Sequence, residues 1–288
     1  MDERIALHHP APLRGLFAIV LGTNEIASAI AARLAQEGFG IALSHDPFPP
    51  VIRRGMAFHD ALFDDCAEID GVIGKRADEA LELLDVLSRP SHVAVTTRQV
   101  NDLITLRTTD AIVDARMQKH RITPDLRGVA RLAIGVGPNF LVGRNCDIAI
   151  ETHPAHTGAL VTRGATQDAD GIARKLGGVG EARFLHAPRN GVWRTPLDIG
   201  AKIYKGLVLG RHDGMPLQAP MDGFLRGVAR DGVYAPQGAK LIEIDPRGRA
   251  TCWTGTDERG RAIGDATARA VLTSTKLRAC AAPIELAL

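Results

Sequence analysis

The feature that most constrains this chain is a stretch that repeats itself. Ala187-Pro188-Arg189-Asn190-Gly191 returns thirty-two residues later as Ala219-Pro220-Met221-Asp222-Gly223. Gly191, Gly200 and Gly206 stand nine and then six apart, and Gly223, Gly232 and Gly238 keep both spacings. A repeated unit marks a piece that cannot bury its apolar face alone. Two copies are too few for a solenoid and suit a small pseudo-symmetric β-structure in which each copy covers the other. The residue before proline is pushed to an extended conformation, and the glycines interrupt every run before a helix could form. The apolar pieces between them are short, such as Val192-Trp193, Ile203-Tyr204 and Leu241-Ile242. The expectation is a compact β barrel or sandwich over residues 186–250.

The spacing resembles the barrel-sandwich hybrid of biotinyl and lipoyl carrier domains. Those domains carry a modified lysine on the hairpin between their halves. Here that hairpin reads Gly210-Arg211-His212-Asp213-Gly214, without lysine. A swinging-arm carrier is therefore rejected, and a module for packing or docking is expected.

Residues 1–155 read as an α/β, Rossmann-like doubly wound sheet. Leu16 to Leu21 is a continuous apolar run, as in a strand buried on both faces. Gly22-Thr23-Asn24 turns the chain, and Ile26, Ala27, Ile30, Ala31 and Leu34 recur at helical spacing until Gly38. Phe39 to Leu43, His92 to Thr96, Ala111 to Ala115, Leu132 to Val136 and Asp147 to Thr152 read as further strands, with helices over 79–87 and 99–106. A helix N-terminus after such a turn attracts anions. A dinucleotide fingerprint, however, wants glycine where Asn24 stands, and Glu25 places a negative charge near the anion's seat. Cys66 follows two aspartates, which disfavour a reactive thiolate.

Four loops would converge on one crevice. Gly22, Thr23 and Asn24 supply the first. Arg53 and Arg54 supply the second, either holding a phosphate bidentately or forming a solvated surface pair. Asp114, Arg116 and Lys119 supply the third, where Asp114 either faces the ligand or pairs internally with Arg116. Gly135, Gly137 and Pro138 form a second glycine-rich strand end. Residues 156–185 read as a glycine-rich connection that lies between domains or over the crevice, and 251–288 as a C-terminal helix and tail.

Composition narrows the function classes. A formal charge of +2 and 4% aromatics give nucleic-acid binding no support. No apolar run approaches membrane-spanning length, and the N-terminus has no signal core, so a cytoplasmic protein is expected. Four scattered cysteines, without a C-x-x-C pair, provide neither a disulfide framework nor a sequence-local zinc site.

The order of these pieces resembles the selenium-dependent molybdenum hydroxylase system proteins. These YqeB-like proteins are related to the XdhC-like xanthine dehydrogenase accessory proteins. The resemblance runs over roughly residues 16–275. It rests on Gly22 with its helix, Ile52-Arg53-Arg54, Val113-Asp114-Ala115-Arg116-Met117 with Lys119, and Ile134-Gly135-Val136-Gly137-Pro138. Ile150-Glu151-Thr152, the two Ala-Pro-x-x-Gly segments, Glu243 to Arg247 and Arg261 to Gly264 extend it. It departs from the family at Asn24, Glu25, His45 and Asn139.

The resemblance implies an accessory factor that matures a molybdenum hydroxylase by binding or inserting a molybdenum–pterin cofactor. The partners implied are the client enzyme and a second copy of the chain. Competing expectations are an NAD(P)-dependent oxidoreductase and a non-catalytic scaffold with a degenerate crevice. No residue stands out as a catalytic nucleophile.

Overall fold

The computed structural model describes residues 15–119 and 123–281, with side chains described up to 275. The Cys280 side chain, the extreme tail and Met1 to Arg4 lie outside that description.

The first half builds one nine-stranded sheet with helices on both faces. Strand β1 (Phe17–Leu21) leads to α1 (Glu25–Gln36) and β2 (Gly40–Ser44). A loop and the short α2 (Ala61–Asp64) precede the hairpin β3 (Cys66–Ile69) and β4 (Val72–Arg76). Then come α3 (Ala80–Leu87), β5 (His92–Thr96), α4 (Val100–Leu103), β6 (Ala111–Asp114), β7 (Ala133–Val136), β8 (Ile148–Ile150) and β9 (Leu160–Val161). The order across the sheet is β3-β4-β5-β2-β1-β6-β7-β8-β9. Pairing is parallel from β4 to β8, and only β3 and β9 run antiparallel at the edges.

Strand β1 shows why the run is apolar throughout. Ala18 and Val20 join the core beside α1, while Phe17, Ile19 and Leu21 join the core beside α3 and α4. Both faces are covered, so alternation with polar residues is forbidden. The chain leaves β1 toward β2 on one side and returns to β6 on the other. That reversal opens a crevice at the strands' carboxyl ends.

The β3–β4 hairpin escapes the helix-and-strand periodicity read above. Its signal is Asp70-Gly71 between Ile69 and Val72. Both turn residues have positive φ, 49° and 78°, as a two-residue hairpin turn demands. Residues 79–87 and 92–96 behave as expected. Helix α4 is shorter than the 99–106 span read from the sequence.

The second half is a sandwich of two four-stranded sheets. Its strands are β10 (Phe184–His186), β11 (Gly191–Arg194), β12 (Lys202–Ile203), β13 (Val208–His212), β14 (Met215–Gln218), β15 (Gly223–Val228), β16 (Tyr234–Ala235) and β17 (Lys240–Asp245). One sheet runs β10-β17-β15-β12 and the other β14-β13-β11-β16. Exchanging each strand of one sequence copy for its counterpart in the other converts the first order into the second. Each sheet therefore takes two strands from each copy.

The repeated residues make the bonds between copies. The Gly206 N–H donates to the Ala219 carbonyl at 2.8 Å, and the Gly238 N–H donates to the Ala187 carbonyl at 2.8 Å. The Lys205 N–H donates to Asp222 Oδ1 at 2.7 Å, and the Gln237 N–H donates to Asn190 Oδ1 at 2.9 Å. The Ala-Pro-x-Asx-Gly signature is thus a cross-copy instruction, in which each segment receives a turn from the other half. Trp193, Leu225, Leu241 and Ile244 fill the space between the sheets.

Helix α5 (Glu258–Ala281) packs back on α1, with Ile263, Ala266 and Val271 in the same core as Ile26, Ile30 and Leu34. A Cβ on Gly264 would stand 3.1 Å from the Ala29 carbonyl, and one on Gly260 would stand 3.2 Å from Ala29 Cβ. Small residues allow the two helices to approach closely. The C-terminal helix therefore completes the sheet's outer layer. It does not form a separate unit.

The pseudo-symmetry has a measurable consequence. Gly206 and Gly238 hold φ of 83° and 79°, and a Cβ at either position would meet no atom within 4 Å. Alanine at either site meets backbone strain alone, about 1–2 kcal/mol. Chemical denaturation of Gly206→Ala and Gly238→Ala is expected to give two similar losses, and a large difference would show that the copies are not mechanically equivalent.

Candidate functional site

A cavity of about 740 Å3 lies where the reversal between β1 and β6 opens. Gly22 to Ile26, Arg116 and Lys119 wall it from the sheet side, and Tyr234, Pro236, Lys240 and Glu243 wall it from the β-module. A neighbouring cavity of about 680 Å3 shares Arg53, Met117, Lys119, Phe184, Lys240 and Arg259 with it. Gln167 to Asp170 and Ile172 to Leu176 of the connection line this second space.

The first glycine loop is occupied by its own side chains. Gly22, at φ 105°, lets β1 approach the third loop, because a Cβ there would stand 3.2 Å from the Ala115 carbonyl and from Arg116 Cα. The Asn24 carboxamide donates to that Ala115 carbonyl at 2.8 Å. Its oxygen accepts from the Ile26 and Ala27 N–H groups at 2.9 and 3.0 Å. The side chain that replaces the fingerprint glycine therefore caps α1 and bridges the two strand ends. Amides that would cradle a pyrophosphate are already satisfied.

Thr23 is buried, and its hydroxyl lies 2.9 Å from His45 Nδ1 and 3.1 Å from His59 Nδ1. A hydroxyl has one proton to donate and two lone pairs, so at least one of the two rings presents Nδ1–H to it. Burial pushes the His59 pKa down, and His45, Arg54 and Arg230 push it further, to about 3. Burial lowers His45 as well, against the pull of Asp46.

The arginine pair divides its tasks. Arg53 grips Glu243 through Nε at 2.6 Å and Nη2 at 3.2 Å, and reaches Glu25 at 3.0 Å. Arg54 donates to the Val228 carbonyl at 2.9 Å and to Asp60 at 2.6 Å, and also to Asp198. Arg54 is therefore a tie between the halves, buried outside both cavities, and neither open reading of the pair describes it. Glu243 is fully buried and also receives Arg226 at 3.0 Å and Arg183. Burial pushes its carboxyl up, but Arg53, Arg226 and Arg183 outweigh burial and hold it at about 2.

In the third loop Asp114 pairs internally. Arg116 closes on its carboxylate through Nε at 3.0 Å and Nη2 at 2.7 Å. Asp46, at the end of β2, accepts from Gln118 at 2.8 Å and from the Phe48 N–H at 2.9 Å. Gly135 makes room for Phe140, whose ring carbon would sit 2.0 Å from a Cβ there, and Gly137, at φ 102°, makes room for Met117. Neither glycine lines either of these two cavities, whereas Pro138 and Lys119 do. His153 and His156 sit in a turn closed by the His156 N–H donating to the His153 carbonyl at 2.9 Å.

Sequence reading missed Lys240, Glu243, Arg183, Arg226 and Arg259. Glu243 left a signal, an acid inside Leu241-Ile242-Glu243-Ile244, where a carboxylate needs a buried partner. Arg259 left none, since only tertiary folding brings α5 to the crevice.

Two stability effects follow. Gln in place of Glu243 leaves three guanidiniums facing a neutral amide, a loss of about 3–5 kcal/mol in urea unfolding. Glu243 ionises near its ordinary 4.5 when unfolded and at about 2 when folded. Its stabilisation is whole above about pH 4.5 and is lost as pH falls toward 2. His59 titrates ordinarily at 6.5 and at about 3 when folded, so its contribution is whole above 6.5 and lost on the way to 3. Unfolding free energies measured from pH 7 to 5 are expected to fall, and His59→Gln should flatten that stretch; an unchanged slope would remove His59 as its cause.

No protein-family model matches the chain. It is 30% identical over 261 residues to the uncharacterized protein YqeB of Escherichia coli strain K12, covering 88% of this chain and 47% of that protein. The chain thus spans about half the length of the curated relative it matches. Solved structures align more loosely. An aspartoacylase family protein from Mesorhizobium loti has a TM-score of 0.24 at 10% identity, over 80% of this chain and 85% of that one. The ectoine utilization protein EutE (DoeB) from Ruegeria pomeroyi has a TM-score of 0.26 at 10% identity, over 80% and 86%. At these scores the structural likenesses carry no argument. The sequence similarity is to YqeB, and it extends over most of the chain.

Proposed function

We propose that this chain is an accessory factor that holds an anionic molybdenum–pterin cofactor on its way into a molybdenum hydroxylase. The observation that carries the reading is the cavity between the sheet's carboxyl edge and the β-module, where five basic side chains face three acids. The choice of cargo rests on the order of motifs, which resembles that of the molybdenum hydroxylase system proteins. Phe48, Tyr234, Pro49 and Pro236 offer apolar walls beside the charged ones, which suits a flat heterocycle bearing an anionic group. We read the module as barrel-sandwich-hybrid-like, docking the client enzyme with its outer faces.

The oxidoreductase alternative loses ground at Asn24. A nicotinamide dinucleotide seated in the usual way would have to displace a carboxamide that makes three hydrogen bonds. Glu25 would then face its pyrophosphate.

The test is purification without air from the native host, followed by mass spectrometry and metal analysis. The expected result is a co-purifying pterin species with molybdenum, and loss of molybdenum hydroxylase activity when the gene is deleted. A bound nicotinamide nucleotide, or no pterin together with unchanged hydroxylase activity in the deletion strain, would overturn the reading.

A further inference from the structure

The acids lining the cavity at the β1–β6 reversal are Glu25, Asp46 and Glu243, and the bases are Arg53, Arg116, Lys119, Lys240 and Arg259. Each acid is engaged: Glu25 and Glu243 by Arg53, and Asp46 by Gln118 and the Phe48 N–H. Arg116 is engaged by Asp114. Among the described residues, no carboxylate forms an ion pair with Lys119, Lys240 or Arg259. All three line both cavities, where those spaces meet.

Two of these cations are poorly hydrated. Lys240 is half-buried with its ammonium 3.6 Å from the centre of the Phe184 ring. Burial pulls its pKa down against Glu181, and Lys119 adds to the fall. Arg259 stands in the first turn of the 24-residue helix α5, and burial lowers its pKa against the pull of Glu25. A desolvated cation without a carboxylate in direct contact is costly, and an incoming anion relieves that cost. The first turn of α5 adds a favourable dipole beside Arg259.

We propose that Lys119 from the sheet side, Lys240 from the β-module and Arg259 from α5 together form the seat for a phosphate group, where the two cavities meet. This rests on the reading of the cavity as the ligand site, and it assigns the ligand's anionic group as phosphate. The geometry of the fold thus moves the anion from the first strand–helix turn to three residues far apart in sequence.

Inorganic pyrophosphate is the probe, titrated calorimetrically into the wild-type protein and into Lys240→Met, Arg259→Gln and Lys205→Met. Lys205 is exposed on the module and controls for net charge. Each seat substitution is expected to weaken binding about tenfold or more, as loss of a charge-assisted hydrogen bond does, while Lys205→Met changes it little. Thermal melts in phosphate-free buffer supply a second readout. Arg259→Gln removes an unpaired cation and should melt no lower than wild type. The seat is refuted by a wild-type protein that ignores pyrophosphate, by seat variants that bind it as tightly as wild type, or by an Arg259→Gln protein that has lost its fold. Such a refutation leaves cofactor co-purification standing. Pyrophosphate binding through these residues in a protein that never carries a pterin would instead retain the seat and discard the cargo.

Discussion

One buried carboxylate holds the two halves of the molecule in register. Glu243 belongs to the β-module, and its guanidinium partners come from the loop after β2, from the connection and from β15. Taking one carboxylate and three guanidiniums out of water is unfavourable unless every charge is matched. Glu25 and Asp257 complete that match through Arg53 and Arg226. Because Glu25 opens α1 and Asp257 precedes α5, the network also fixes both helix starts at the crevice. The shape of the cavity depends on it.

The module's construction explains why it can serve as a rigid wall. Each of its sheets takes two strands from each sequence copy, so the copies are interleaved in both sheets. Cross-copy bonds from Gly206 and Gly238 are equal in length, and the Asx caps are paired likewise. Ile52 then lends its carbonyl to the Val228 N–H at 2.8 Å, which attaches the arginine loop to the module's backbone. Arg53 and Arg54 leave that loop in different directions, one into the hub and one toward Asp60 and Asp198.

Much of the architecture was legible because it is local. Buried parallel strands announce themselves as apolar runs, as Phe17 to Leu21 does, and the copies announce themselves through glycines and Ala-Pro pairs. The β3–β4 hairpin was equally local, and the Asp70-Gly71 turn would have identified it. The site was less legible, for a physical reason. Gly135 and Gly137 look like ligand-binding glycines, yet their missing Cβ atoms make room for Phe140 and Met117. Close approach to a side chain and close approach to a ligand leave the same mark on a sequence. Lys240 and Arg259 carry no local mark, since their meaning lies in which acids are absent around them after folding.

Asn24 shows how a fold can keep its crevice while changing where charge is felt. In a dinucleotide fold the helix N-terminus offers bare amides, and the anion supplies their missing acceptor. Here the carboxamide supplies it permanently, and its amino group ties β1 to β6. That arrangement stabilises the helix start, since the carboxamide oxygen satisfies the Ile26 and Ala27 amides. It also removes the attraction that would draw a pyrophosphate to α1. Glu25, at the same helix start, is paired with Arg53. The residual positive charge therefore lies on Lys119, Lys240 and Arg259. A ligand that enters is drawn toward the second helix start and the module, where both halves of the chain contribute to its recognition.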